Sequence, residues 1–168
     1  DGLLLTMNAS GPAIKAFART APELDRRLDW GLELNELSAP EVCDAARINA
    51  DELGCLLLVD DAGIGYATRE RILRLLPHIV KLDRSLFVHY LASAEAREHV
   101  DILLAAAREI NAKTLVEGVE TAEHLELARR LDFDYAQGFY FSPGIELADL
   151  PAAMHELHGR LGIDIPGF

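Results

Sequence analysis

Basic residues are scarce in this chain: 16 lysines and arginines stand against 28 aspartates and glutamates, a net charge of −12. That deficit excludes nonspecific binding to duplex nucleic acid or to an anionic membrane surface as a main role. An anionic substrate remains compatible where metal ions neutralise a site locally. Cysteine is nearly absent, with only Cys43 and Cys55 and no CxxC spacing. Both are expected to be small buried thiols in a reducing cytosol, not disulfide or zinc ligands. No apolar run approaches the roughly 20 residues of a membrane helix, and no signal peptide precedes the first run. The chain opens on Asp1 without Met and enters an apolar run almost at once, so a cut through a larger protein, or a shortened form of one, is expected. Walker loops, Ser-His-Asp arrangements and HExxH spacing are missing too. His155-Glu156-Leu157-His158 falls on the last expected helix and reads as a solvated face.

What the chain does have is a series of short apolar runs, each ending in a polar group. Leu3-Leu4-Leu5-Thr6-Met7 ends at Asn8, and Gly31-Leu32 at Glu33. Leu56-Leu57-Leu58-Val59 ends at Asp60-Asp61, and Ile79-Val80 at Lys81-Leu82-Asp83. Thr114-Leu115-Val116 ends at Glu117, and Asp134-Tyr135-Ala136 at Gln137. Strands are expected near 3–8, 30–35, 55–60, 78–82, 113–117 and 133–137. Helical periodicity fills 11–28, 39–53, 67–76, 94–111, 121–131 and 147–161 between them. This alternation argues for βα units on a parallel sheet, an α/β fold. Ser38 and Thr121 are expected helix caps, and Gly54 a left-handed helix end. A complete β/α barrel takes about 250 residues, so either two strands are missing or the sheet stays open. One domain over residues 1–161 is expected, with 162–168 as a tail.

Polar groups at the same end of successive parallel strands converge on one face, where such folds place their chemistry. Oxygen ligands so converged suit hard divalent cations. Asp60-Asp61 is the strongest local signal, because two adjacent acids repel unless a positive charge lies beside them. One can bridge two metals about 3.5–4 Å apart while its neighbour binds the second, as in phosphodiester hydrolysis. The competing reading is a surface Asp-Ala-Gly turn. Gly63 and Gly65 fit a loop whose backbone approaches a ligand, or plain turn chemistry. Glu33 fits a metal ligand, and Glu36 either holds a neighbouring loop or is solvated. Lys81, costly to bury alone, can orient a water or a phosphate oxygen, or simply form a salt bridge with Asp60 or Glu117 at the barrel mouth. Glu117 can ligate metal or accept a proton. Glu120 can contact a base edge or merely favour a helix N-terminus. Gln137 offers an amide suited to a nucleobase.

The series Asn8-Ala9-Ser10, Glu33-Leu34-Asn35-Glu36, Asp60-Asp61-Ala62-Gly63-Ile64-Gly65-Tyr66, Lys81-Leu82-Asp83-Arg84-Ser85, Glu117-Gly118-Val119-Glu120-Thr121 and Gln137-Gly138-Phe139 resembles the EAL-domain phosphodiesterases of bacterial cyclic-di-GMP signalling. Order, spacing and strand-end placement agree over nearly the whole chain. The resemblance implies a TIM-like (β/α) barrel of the EAL type, N-terminally incomplete at about six β/α units. It implies hydrolysis of cyclic di-GMP to linear pGpG with Mg²⁺ or Mn²⁺. By that analogy Asn8, Glu33 and Asp60 bind one metal, and Asp60, Asp61 and Glu117 serve the other. Lys81 and Glu117 position and activate water, Asp83 supports the site, and Glu36 steadies the loop bearing Gly63 and Gly65. Gln137 and Glu120 help to seat the nucleotide. A cytoplasmic setting follows, with sensor domains and a membrane anchor open in the parent protein, as is a homodimer. The Glu-Ala-Leu segment, with its metal-binding glutamate and a nearby substrate arginine, is not among these residues. Ala62, Ile64, Asn35 and the position of Pro143 also depart from the family pattern. Low or absent turnover by these 168 residues is therefore expected, and an inactive EAL-like module binding cyclic di-GMP or a protein is the alternative.

Overall fold

Each apolar run is short enough for a strand, and each amphipathic stretch long enough for a crossover, so parallel pairing is the natural outcome. The computed structural model describes residues 3–20, 23–25, 27–34, 45–63 and 68–162. Its strands are β1 (Leu3–Ala9), β2 (Leu28–Leu34), β3 (Leu56–Ala62), β4 (Ile79–Leu82), β5 (Lys113–Val116) and β6 (Tyr135–Ala136). Every neighbouring pair is parallel, and spatial order follows chain order from β1 to β6. That winding is the winding of a β/α barrel, and the sheet forms a curled half-barrel. Among the described residues β1 and β6 have one neighbouring strand each.

The helices are α1 (Gly11–Thr20), α2 (Ala46–Leu53), α3 (Arg69–Leu75), α4 (Arg84–His89), α5 (Ala94–Glu109), α6 (Ala122–Arg130) and α7 (Leu150–Leu161). None is long and apolar enough to cross a membrane. Two expectations need correction. The first helix does not run from 11 to 28, because it ends at Thr20 and β2 already begins at Leu28. The Asp25 carboxylate accepts from Arg27 N at 3.0 Å and its carbonyl from Leu28 N at 3.1 Å, a local turn that replaces helical bonding. The short α4 was not expected from periodicity; Asp83 caps it by accepting from Ser85 N at 2.8 Å. Gly54 does end α2 in the left-handed region at φ 69°, and Thr121 does cap α6 through His124 N. Ser38 and Cys43 lie outside the described residues.

The core explains why the strand ends hold still. Leu57, Leu58 and Val59 of β3 are fully buried, and Leu57 and Val59 pack in one cluster with Ile14 of α1 and Ala46 and Ala50 of α2. A second cluster joins Val80, Leu82 and Val116 to Phe87, Val100, Ala106 and Ala107. All four residues of β4 are buried, the pattern of a parallel strand covered on both faces. Cys55 belongs to the first cluster, and burial pushes its thiol up, as expected of an inert cysteine.

Candidate functional site

Because neighbouring strands are parallel, the C-terminal ends of β2, β3, β4 and β5 lie side by side, and each carries a charged group at or just past its end. On β3 the pairing runs Leu58 to Ile79 and Val59 to Val80, then jumps to Ala62 with Leu82. Three steps on one strand therefore face two on the other, which is a bulge. Asp61 sits in it at φ 50°. Without the bulge, adjacent Asp60 and Asp61 would point to opposite faces. With it, oxygens of Asp60, Asp61 and Glu117 come within 4.8 Å of one another.

Lys81 occupies the middle of this group. Its Nζ lies 2.6 Å from Glu33 Oε2, 2.6 Å from Asp60 Oδ1 and 2.8 Å from Glu117 Oε1. The lysine side chain is only 4% exposed. Burial pushes its ammonium down, but the carboxylates of Asp60, Glu117 and Glu33 around it outweigh that and hold it above the ordinary lysine value. Lys81 is therefore a permanent cation at neutral pH.

One ammonium does not neutralise four carboxylates. Asp60 Oδ1 is buried with Lys81 Nζ as its near cation by distance, yet no donor is aligned on it as a hydrogen bond. A set of oxygen-only side chains carrying more negative charge than its one ammonium offsets fits a hard divalent cation.

The other expected residues fall in and around this centre. Asn8 is exposed and pairs in register with Glu33, which places it beside the same strand end. Gln137 Nε2 donates to Glu117 Oε1 at 3.3 Å. Gly63, at φ 100°, closes the bulge and lies against Leu86. Glu36 and Gly65 lie outside the described residues. Asp83 is spent on capping α4, where Ser85 N and Oγ both donate to it. Glu120 pairs with Arg84 Nη2 at 2.7 Å. Arg84 carries no role in the sequence pattern beyond its place in the Lys81–Ser85 series, although its position between Asp83 and Ser85, a helix-capping pair, is a signal that could mark it.

The sequence profile of the EAL domain matches residues 10–144. The chain belongs to the EAL domain family. The cyclic di-GMP phosphodiesterase NbdA of Pseudomonas aeruginosa is 35% identical over 99 residues, 59% of this chain and 13% of NbdA. The chain spans between 13% and 17% of the length of several curated relatives. The EAL domain of Mycobacterium smegmatis DcpA superposes with a TM-score of 0.74 at 22% identity, covering 91% of this chain and 73% of that one. PaMucR phosphodiesterase, solved as a complex with c-di-GMP, superposes at 0.68 with 26% identity, covering 86% and 63%. The EAL fold thus accounts for the half-barrel, and the family profile spans the residues from Ser10 past Gln137.

Proposed function

We propose that this chain carries the metal-binding and catalytic residues of a phosphodiesterase that opens cyclic di-GMP to linear pGpG. The observation that carries the reading is the convergence of Asp60, Asp61 and Glu117 around the buried Lys81 at the strand ends. The family relationship, with relatives named for that activity, supplies the substrate.

Asn8, Glu33, Asp60, Asp61 and Glu117 are the residues that would hold Mg²⁺ or Mn²⁺. When bound, such ions supply Lewis-acid charge on the phosphoryl oxygens and lower the pKa of a coordinated water. Glu117 accepts a proton as the water oxygen bonds to phosphorus. The P–O3′ bond breaks, and the departing 3′ oxygen takes a proton from solvent. Lys81, locked as a cation, steadies charge on the phosphoryl group and fixes the Glu117 carboxylate. In this reading Gln137 and Glu120, at the rim, meet a guanine edge. Cytoplasmic action, as one part of a larger sensory protein and with pairing into a homodimer, belongs to the same reading.

The second reading, a module that binds cyclic di-GMP without turnover, has one observation in its favour. Ala62 and Ile64, in the segment after Asp60 and Asp61, depart from the family pattern. Incubating the protein with cyclic di-GMP and Mn²⁺, with chromatography for pGpG, separates the two. Slow, metal-dependent pGpG formation abolished by D60N supports the enzyme. Tight binding with no product at any metal concentration supports the module, and loss of both removes cyclic di-GMP from the account.

A further inference from the structure

We propose that Arg84 is a positioning residue for Glu117, holding the segment Glu117–Glu120 so that the Glu117 carboxylate faces Asp60 and Asp61. The proposal rests on the metal-site reading above. Arg84 opens α4 immediately after β4, and the Asp83 cap fixes the direction in which it leaves the strand that carries Lys81.

From there its side chain touches the Glu117 segment twice. The aliphatic stem lies on Gly118, at φ 75°, so closely that a Cβ there would overlap Arg84 Cγ and come within 2.8 Å of Cδ. Any residue but glycine would push the arginine away. The guanidinium then reaches Glu120 Oε1 at 2.7 Å. The opposite side of the segment is tied separately: Glu117 N donates to Leu82 O at 3.2 Å, and Val119 N to Gln137 O at 3.1 Å. The backbone is thus gripped from β4, from Gln137 just past β6, and from Arg84. Only the side-chain torsions of Glu117 are left, and Lys81 and Gln137 fix those.

The Arg84 side chain is 59% exposed, and an exposed ion pair adds little to global stability. Its effect should therefore appear in the geometry of the ligand next door and not in the melting of the domain. Partners that orient a metal-ligating carboxylate set affinity in this way.

The test is Mn²⁺ binding to the 168-residue chain without substrate, followed by the EPR signal of free Mn²⁺, alongside thermal melts in EDTA. R84A is expected to raise the Mn²⁺ Kd about 10-fold with an unchanged melting midpoint, and R84K, which keeps stem and charge, to restore most of the affinity. A Kd for R84A within about twofold of the parent overturns the proposal. If R84A does not fold, R84M and E120Q take its place; a raised Kd in both supports the role, and parental Kd values in both overturn it. E117Q separates this proposal from the reading beneath it. Lost affinity in E117Q with parental affinity in R84A removes only the positioning role. Parental affinity in E117Q removes the metal site, and the role of Arg84 with it.

Discussion

Lys81 Nζ donates an aligned hydrogen bond to Glu33 Oε2 at 2.6 Å, joining β4 to β2 across the end of β3. Asp60, on the strand between, and Glu117, just past β5, are reached by the same ammonium, so one buried cation ties four strand ends together. Removing it leaves several acids facing one another in a site with little solvent. K81M in metal-free buffer is expected to lose about 3 kcal/mol of stability, the scale for breaking a buried pair from one side. Urea denaturation in EDTA measures this, and added Mn²⁺ should recover part of the loss.

The same lysine gives a pH signature. Its folded pKa lies above the unfolded one, so its stabilisation is complete below the unfolded value, about 10.4, and fades as pH rises beyond it toward the folded value. The parent protein should therefore lose stability above about pH 10, while K81M, already weakened, shows a flatter alkaline limb. Denaturation midpoints between neutral pH and strongly alkaline buffer decide the matter.

Asp134 works at the other extreme of pH and the other end of the sheet. It accepts from Lys113 Nζ at 2.6 Å and from Thr114 N at 2.8 Å. Burial pushes its carboxyl up, but the bonds to Lys113 and Thr114 outweigh that and hold it below the usual aspartate value. Its contribution is present above the unfolded pKa of about 3.9 and lost as pH falls through the folded one. D134A should cost about 1–2 kcal/mol at neutral pH, and the difference from parent should shrink in acid below about pH 4.

Asp61 separates folding from chemistry. Its left-handed backbone is tolerated by asparagine nearly as well as by aspartate. D61N is expected to melt near the parent yet form pGpG about 100-fold more slowly, the loss that follows from removing charge worth several kcal/mol at the reacting phosphate. A parental rate in D61N would take Asp61 out of the site.

Gly138 connects Gln137 to the Glu117 segment. At φ 154°, it presses so close to Val119 that an added Cβ would overlap the Val119 carbonyl oxygen and backbone nitrogen. G138A should therefore destabilise the fold by about 2 kcal/mol, through backbone strain and displacement that no rotamer change relieves. G144A, where an added Cβ meets nothing within 4 Å, is the neutral control. Chemical denaturation of the two variants side by side makes the comparison.

Much of the molecule was legible in its one-dimensional pattern. Short apolar runs at regular spacing specify parallel strands, because a buried parallel strand needs apolar residues on both faces, and the run Leu56–Val59 of β3 shows this outcome. A carboxylate or amide at the end of each run specifies the face where chemistry collects, because parallel strands share one direction. The helix over Arg84–His89 was not legible, since six residues give too little periodicity and its cap is a single Asp-to-Ser contact. The true end of α1 was hidden for a similar reason: the Asp25 turn competes locally with an otherwise helical pattern.

The sequence by itself determined the strands, their parallel direction and the set of acids, because these follow from hydrophobic period and from the βα alternation. Only the tertiary structure decided how those acids meet. The bulge at Asp61 swings two neighbouring carboxylates to one side, which no period-2 pattern can express. The protonation of Lys81 depends on three acids from three other strand ends, 21 to 48 residues away in the case of Asp60 and Glu33. The grip of Arg84 on Gly118 and Glu120 is a contact between successive βα loops, made only when β4 and β5 lie side by side. Such relations are distances in space, and distances in space are fixed by packing.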